Sequence, residues 1–242
     1  MREHRSPKMW QRAARVAAVP TAMLMVASAL PAVAPQAQAQ LSSSSSGSST
    51  FGDSRGLSDA IRPKDPPKRT PIEVDEHPDI PGLPEGVSVD RIEWLTSRRV
   101  AVFIKSAVMP DELVQVQILL ARDWHQNPDA KFPEVWALDG LRARDDENGW
   151  TIETNIEQFY ADKNVNLIMP VGGESSFYSD WQRPNNGKHY MWESFLTKEL
   201  VPILHNRLRS NGKRALTGIS MGGTAAVKLA ERNPHLFNFV GS

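Results

Sequence analysis

Residues 214–234, RALTGISMGGTAAVKLAERNP, constrain the fold more than any other run in the chain. RALTGIS reads as a short strand and TAAVKLAER as an alanine-rich helix stopped near Asn233-Pro234. Between them sits a serine with glycines on both sides, Gly218-Ile219-Ser220-Met221-Gly222, and no length of loop. A strand that turns directly into a helix holds the turning residue in strained backbone, because side chains beside it would clash. The spacing predicts that the Ser220 hydroxyl is held above a sheet, near the positive end of the following helix. A serine that merely caps a helix is the plainer reading of the same residues.

The rest of the chain supplies the sheet. VDRIEWL and RVAVFIKSA read as two paired strands joined by a polar turn at Thr96-Ser97-Arg98, and LVQVQILL, residues 113–120, as a strand entering a buried sheet. FPEVWALDG and NVNLIMPVGG are two more apolar runs ending in glycine, with a short helical stretch, NIEQFYADK, between them. That β, α, β order predicts a parallel pair and an α/β fold. In HYMWESFLTKELVPILHNRLRS, Trp192, Phe195, Leu196, Leu200, Ile203, Leu204 and Leu208 recur at helical spacing, so one face packs on the sheet. Pro202 is expected to kink this helix, Asn211-Gly212 to end it, and FNFVGS to open a further strand.

The N-terminal third is built differently. Five basic residues against Glu3 alone, then an apolar run over 16–30 containing Pro20, then small residues, read as an export signal cleaved after Ala39. About fifteen apolar residues fall short of the roughly twenty that span a bilayer. Residues 40–86, a serine tract followed by a proline-rich stretch, are expected to be a disordered linker, leaving 87–242 as the folded region. The chain is formally neutral, so removal of a basic signal leaves the remainder slightly acidic, which argues against a nucleic-acid partner. No cysteine is present, which excludes disulfides, thiol catalysis and cysteine-rich metal sites; no cofactor or metal is expected.

Acyl chemistry at a serine needs two N–H donors where an oxyanion forms. The residue after the serine, Met221, offers one; the loop ALDGLRARDDENGW, following an earlier strand, offers a second at Leu141, with Asp139 and Arg142 beside it. Asp139 is equally an ordinary turn residue by its position, and Arg142 a surface cation.

Four blocks, LDGLRARDDENGW, IMPVGGESSFYSDW, WESFLTKEL and LTGISMGGTAA, together resemble the mycolyltransferases of mycolic-acid bacteria, the antigen 85 group, in a form closer to the corynebacterial members. The resemblance implies an α/β-hydrolase fold with a mostly parallel central sheet, and transfer of a mycolyl group between trehalose esters or onto cell-wall arabinogalactan. Ser220 matches the family's nucleophile, Leu141 and Met221 its oxyanion-hole residues, and Asp139 and Arg142, with Leu141 and Ser220, its trehalose-contacting positions. Implied partners are a trehalose mycolate donor, a sugar acceptor and peripheral contact with the outer envelope lipid layer; the implied location is secreted or envelope-bound. The loop RPNNGKHY departs from members that carry a cysteine pair there.

A second departure is larger. In this fold the acid and the histidine follow the serine, yet only Glu231 and His235 do so here, on or just past the helix that leads away from it. His77, His125, His189 and His205 precede the serine. The expectation is that the triad partners and the C-terminal strands are missing from these 242 residues, and that the chain is an inactive piece of a longer enzyme. A secreted carboxylesterase on the same fold, or an inactive glycolipid- or matrix-binding wall protein, are the alternatives.

Overall fold

The computed structural model describes residues 69–242. The expected signal over 1–39, and the expected linker as far as residue 68, lie outside the described residues. From 69 onward the linker reading is corrected. Glu73–Glu76 forms strand β1, paired antiparallel with β2, Ser88–Trp94. Pro71 and Pro78 bracket a stretch without proline, so its N–H groups are free to join a ladder. The Ile72 N–H donates to the Trp94 carbonyl at 2.8 Å, Asp75 pairs with Arg207, and Ile80 is buried in the core.

Strands β3, Arg99–Lys105, and β4, Val114–Leu119, continue the antiparallel half of the sheet. The other half is parallel: β5, Phe132–Leu138; β6, Asn166–Pro170; β7, Ser210–Gly218; and β8, Phe239–Gly241. The eight strands lie in the order β1-β2-β3-β4-β6-β5-β7-β8, with β4 antiparallel to β6 where the two halves meet. Every residue of β6 is buried, as a parallel strand covered on both faces requires. Register between β5 and β7 is marked by a buried ion pair, Arg214 Nε to Glu134 Oε2 at 2.7 Å, between residues directly opposite each other.

Two short helices, α1 (Gly149–Glu153) and α2 (Ile156–Phe159), link β5 to β6. The long helix α3 comprises Trp192–Ser194, a π-helical segment Phe195–Leu200, and Val201–Asn206. All seven apolar residues picked out by spacing are buried. The irregularity expected at Pro202 takes the form of the π segment just before it. Proline has no N–H for the Lys198 carbonyl and its ring crowds that oxygen, which a wider turn relieves.

The end of α3 is also corrected. It stops at Asn206, and β7 already begins at Ser210, so Asn211-Gly212 lies within an irregular stretch of strand. The left-handed residue at this junction is Arg209, φ 51°. Its guanidinium stacks on Trp124 at 3.4 Å and donates to the carbonyls of Trp124, Asn127 and Pro128, contacts a glycine could not make. Helix α4, Met221–Arg232, follows β7 directly, and FNFVGS enters β8 beside β7. Among the described residues no helix is long and apolar enough to cross a membrane.

Candidate active site

The turn between β7 and α4 holds Ser220 at φ 54°, ψ −117°. For a residue with a Cβ, such backbone costs about 1–3 kcal/mol and persists only where its surroundings enforce it. The flanking glycines show what enforces it. A Cβ on Gly218 would lie 2.2 Å from the Gly222 carbonyl carbon and oxygen, and one on Gly222 would lie 2.5 Å from the Leu138 and Asp139 carbonyl oxygens. The end of β5 and the start of α4 are therefore in direct backbone contact, which leaves Ser220 at the apex. Ser220 occupies the N-cap position of α4 but its side chain caps nothing, and the residue is exposed. This geometry departs from the capping reading, in which the hydroxyl would accept an N–H of the first turn.

The loop after β5 comes up to the same point. A Cβ on Gly140 would sit 3.9 Å from the Ser220 Cβ and from the Ile219 carbonyl oxygen, so Leu141 follows within a residue of the turn. Gly140 has no positive φ; what its missing side chain provides is clearance over Ser220, rather than a turn of the backbone. Among the described residues neither the Leu141 nor the Met221 N–H donates a hydrogen bond. The exposed Ser220 thus stands at the N-terminus of a twelve-residue helix, with its partial positive charge, and the loop that carries the unengaged Leu141 N–H passes close by at Gly140. Chemically, free N–H donors and a helix N-terminus can stabilise negative charge that develops on a nearby oxygen.

Asp139 and Arg142 differ sharply in their surroundings. Asp139 is buried, and its Oδ1 and Oδ2 accept the N–H groups of Gly140 at 2.7 Å and Gly149 at 2.6 Å. Its carboxylate closes the 139–149 loop onto the start of α1, and Gly149 is needed because a Cβ there would meet Oδ1 at 2.5 Å. Each oxygen keeps a lone pair for a further donor. Arg142 is exposed and, among the described residues, makes no ion pair or hydrogen bond. The guanidinium is available to a ligand.

Sequence reasoning missed what holds this loop. Arg99, wholly buried on β3, donates from one terminal nitrogen to Glu147 Oε1 at 2.5 Å and Gln117 Oε1 at 3.0 Å, and from the other terminal nitrogen to Glu157 at 2.7 Å. Asn148 bridges from the Pro170 carbonyl, at 2.6 Å, to the Trp150 N–H, which it caps at 3.0 Å. Trp150 Nε1 donates to the Leu138 carbonyl at 2.9 Å. The 171–181 segment was also missed as a partner of the site. There the Tyr178 hydroxyl accepts the Asp139 N–H at 3.0 Å, and burial raises the phenol well above its ordinary range, so it stays neutral. No periodicity or spacing signals these pairs, whose partners are set together by the fold rather than by the local sequence.

Among the described residues no side chain hydrogen-bonds the Ser220 hydroxyl. His125 Nε2 lies 2.6 Å from the Ser97 carbonyl, His189 Nε2 lies 2.9 Å from the Trp181 carbonyl, and His77 faces Asp90 at 4.0 Å. His205 and His235 are exposed. Glu231, near the far end of α4, stands about 15 Å along the helix axis from its first residue at 1.5 Å per residue.

Comparison with known proteins adds relatives to this geometry. Over 122 residues the chain is 46% identical to the diacylglycerol acyltransferase/mycolyltransferase Ag85B of Mycobacterium leprae, covering 48% of this chain and 37% of that one. Against Ag85B of Mycolicibacterium smegmatis it is 50% identical over 113 residues, 45% of this chain and 35% of that one. The chain thus spans little more than a third of the length of these curated relatives. An S-formylglutathione hydrolase from Agrobacterium tumefaciens superposes with a TM-score of 0.52 at 16% identity, covering 67% of this chain and 60% of that one, a likeness of fold. The Esterase family, described as "Putative esterase", matches residues 106–242, which include every strand from β4 onward, the 139–149 loop and the Ser220 turn. With more than half of its length matched, the chain belongs to that esterase family, on an α/β-hydrolase-like fold and with the antigen 85 mycolyltransferases among its relatives.

Proposed function

We propose that this chain carries the nucleophile and oxyanion donors of an exported serine acyltransferase that moves mycolyl groups between trehalose esters or onto cell-wall arabinogalactan. The observation that carries the reading is exposed Ser220, held in a strained turn at the head of α4 with Gly140 packed against it and with the N–H groups of Leu141 and Met221 unengaged. The names of the mycolyltransferase relatives supply the acyl group. In this reading Ser220 Oγ attacks the ester carbonyl of the donor, and its proton passes to a general base. The two N–H groups receive the charge on the carbonyl oxygen. The C–O bond to the departing trehalose breaks as that oxygen takes the proton from the base, leaving an acyl-serine. A sugar hydroxyl then attacks the acyl carbon by the same steps in reverse. In this reading Arg142, exposed and unpaired among the described residues, orients the sugar, and Asp139, which shapes the loop, accepts one hydroxyl.

A fluorophosphonate probe tests the first half of this reading on the full-length protein purified from the culture medium, where the mature chain is expected to start at Gln40. Labelling should fall on Ser220 and vanish in Ser220→Ala; labelling elsewhere, or none, rejects the assignment. Transfer from a trehalose acyl ester to free trehalose tests the second half. Losing a charged hydrogen bond to the sugar should slow Arg142→Ala roughly ten- to a hundredfold. Membership of the esterase family favours a second reading, a secreted carboxylesterase. It predicts hydrolysis of short acyl esters indifferent to added trehalose and to Arg142→Ala.

A further inference from the structure

One loop touches both candidate oxyanion donors and the residue that shapes their surroundings. In the 172–181 segment, GGESSFYSDW, the Ser175 N–H donates to the Leu141 carbonyl at 2.9 Å and the Phe177 N–H to Met221 Sδ at 3.3 Å. The Tyr178 hydroxyl meanwhile receives the Asp139 N–H. The loop is held in costly backbone: Ser175, Phe177 and Tyr178 have φ of 57°, 52° and 47°, in a region where residues other than glycine stay only when other contacts fix them. Three contacts do so. Ser176 Oγ accepts the Tyr178 N–H at 3.0 Å, and the buried Tyr178 ring packs edge-on against Trp192 at 5.4 Å. The third comes from α4: Lys228 Nζ donates to the Phe177 carbonyl at 2.9 Å and to the Ser179 hydroxyl.

Lys228 is eight residues beyond Ser220, about two helical turns along the same helix. It is half-buried, and an ammonium withdrawn from water is held in place by the acceptors aimed at it. One end of the contact is thus rooted in the helix whose first residue is Met221. The other is the carbonyl of Phe177, the residue whose N–H meets the Met221 sulfur.

We propose that Lys228 is a positioning residue: it latches the strained 172–181 loop to α4 and thereby keeps the Leu141 and Met221 amides in register around the Ser220 hydroxyl. The proposal rests on the reading of Ser220 as a nucleophile. The latch itself is a statement about structure that can be tested without chemistry.

The test compares Lys228→Met, Lys228→Arg and Ser179→Ala with the parent in the full-length protein, by amide hydrogen exchange and by hydrolysis of a soluble p-nitrophenyl ester. In Lys228→Met the amides of residues 175–178, each of which donates a hydrogen bond, should exchange faster. The kcat should fall about tenfold with KM within about twofold, a fraction of the hundred- to thousandfold loss on deleting one oxyanion donor outright. Lys228→Arg, which keeps a donor, should restore most of both, and Ser179→Ala should shift both in the same direction by less. Unchanged exchange at 175–178 in Lys228→Met, or faster exchange with unchanged kcat, overturns the proposal. Should Lys228→Met not fold, Ser179→Ala supplies the same two readouts, and either of those results in it overturns the proposal equally. A parent protein whose esterolysis survives Ser220→Ala rejects the nucleophile reading, while the exchange data still decide whether the latch exists.

Discussion

At the scale of single residues, the glycines around Ser220 divide into those that the packing demands and one that it does not. Gly222 faces two carbonyl oxygens at 2.5 Å from where its Cβ would be, and neither belongs to a side chain that can swing away. Gly222→Ala must therefore push the start of α4 off the end of β5, and we expect it to lose about 1–3 kcal/mol, the range for overpacking a tight contact. Gly140→Ala meets only ordinary contacts at 3.9 Å at an unstrained φ and should unfold within about 0.5 kcal/mol of the parent. Urea unfolding of the two variants measures both. Equal losses would mean that the elbow contact is softer than its geometry says. The sequence already showed Ser220 between glycines, because a strand, a serine and a helix in immediate succession leave few other geometries. It did not show that Asp139 turns both oxygens inward, or that Ser175, Phe177 and Tyr178 take positive φ. Such choices belong to residues with no propensity for them and are imposed by contacts distant in sequence.

Among the elements, the parallel pair β5 and β7 carries the site, since the 139–149 loop leaves one strand and the Ser220 turn leaves the other. Both strands were legible as apolar runs, and so was the α4 that follows. Their mutual register was not, because a period of two says which face is apolar and nothing about which residue sits opposite which. Here a charge pair marks it: Glu134 and Arg214, opposite each other and both nearly inaccessible. Glu134 Oε1 has no partner among the described residues, and Oε2 also accepts from Trp136 Nε1 at 3.1 Å, so the carboxylate relies on Arg214 for its charge. Arg214→Met should cost roughly 3–5 kcal/mol, because it strands a buried charge. Glu134→Leu with Arg214→Met should recover much of that loss, since well-packed apolar pairs often equal buried ion pairs. A double-mutant cycle by chemical denaturation gives the coupling energy directly. A double variant as unstable as the worse single one would show that the pair does more than neutralise itself.

For the molecule as a whole, the two ends of the sheet are unlike. The β1 end is short and charged: Glu73, Asp75 and Glu76 line it, and Asp75 is tied to Arg207, features that discourage another strand from adding there. At the other end β8 pairs with β7 alone among the described residues, and its Phe239 is 69% and Val240 37% exposed. Phe239 also lines an apolar hollow with Phe159 and Val135, and Phe159 is itself 58% exposed. An open ladder edge next to exposed aromatic surface is a template for pairing with any strand of matching hydrophobicity, including one from a second molecule. These 242 residues, prepared alone, should therefore self-associate with rising concentration. Phe239→Lys should suppress the association without disturbing β7, because the new charge projects into solvent and leaves the β7–β8 hydrogen bonds intact. Light scattering across a concentration series, with the variant beside the parent, checks it. A parent that stays monomeric throughout would mean that the β8 edge is not adhesive, and association undiminished in Phe239→Lys would move the contact to another surface.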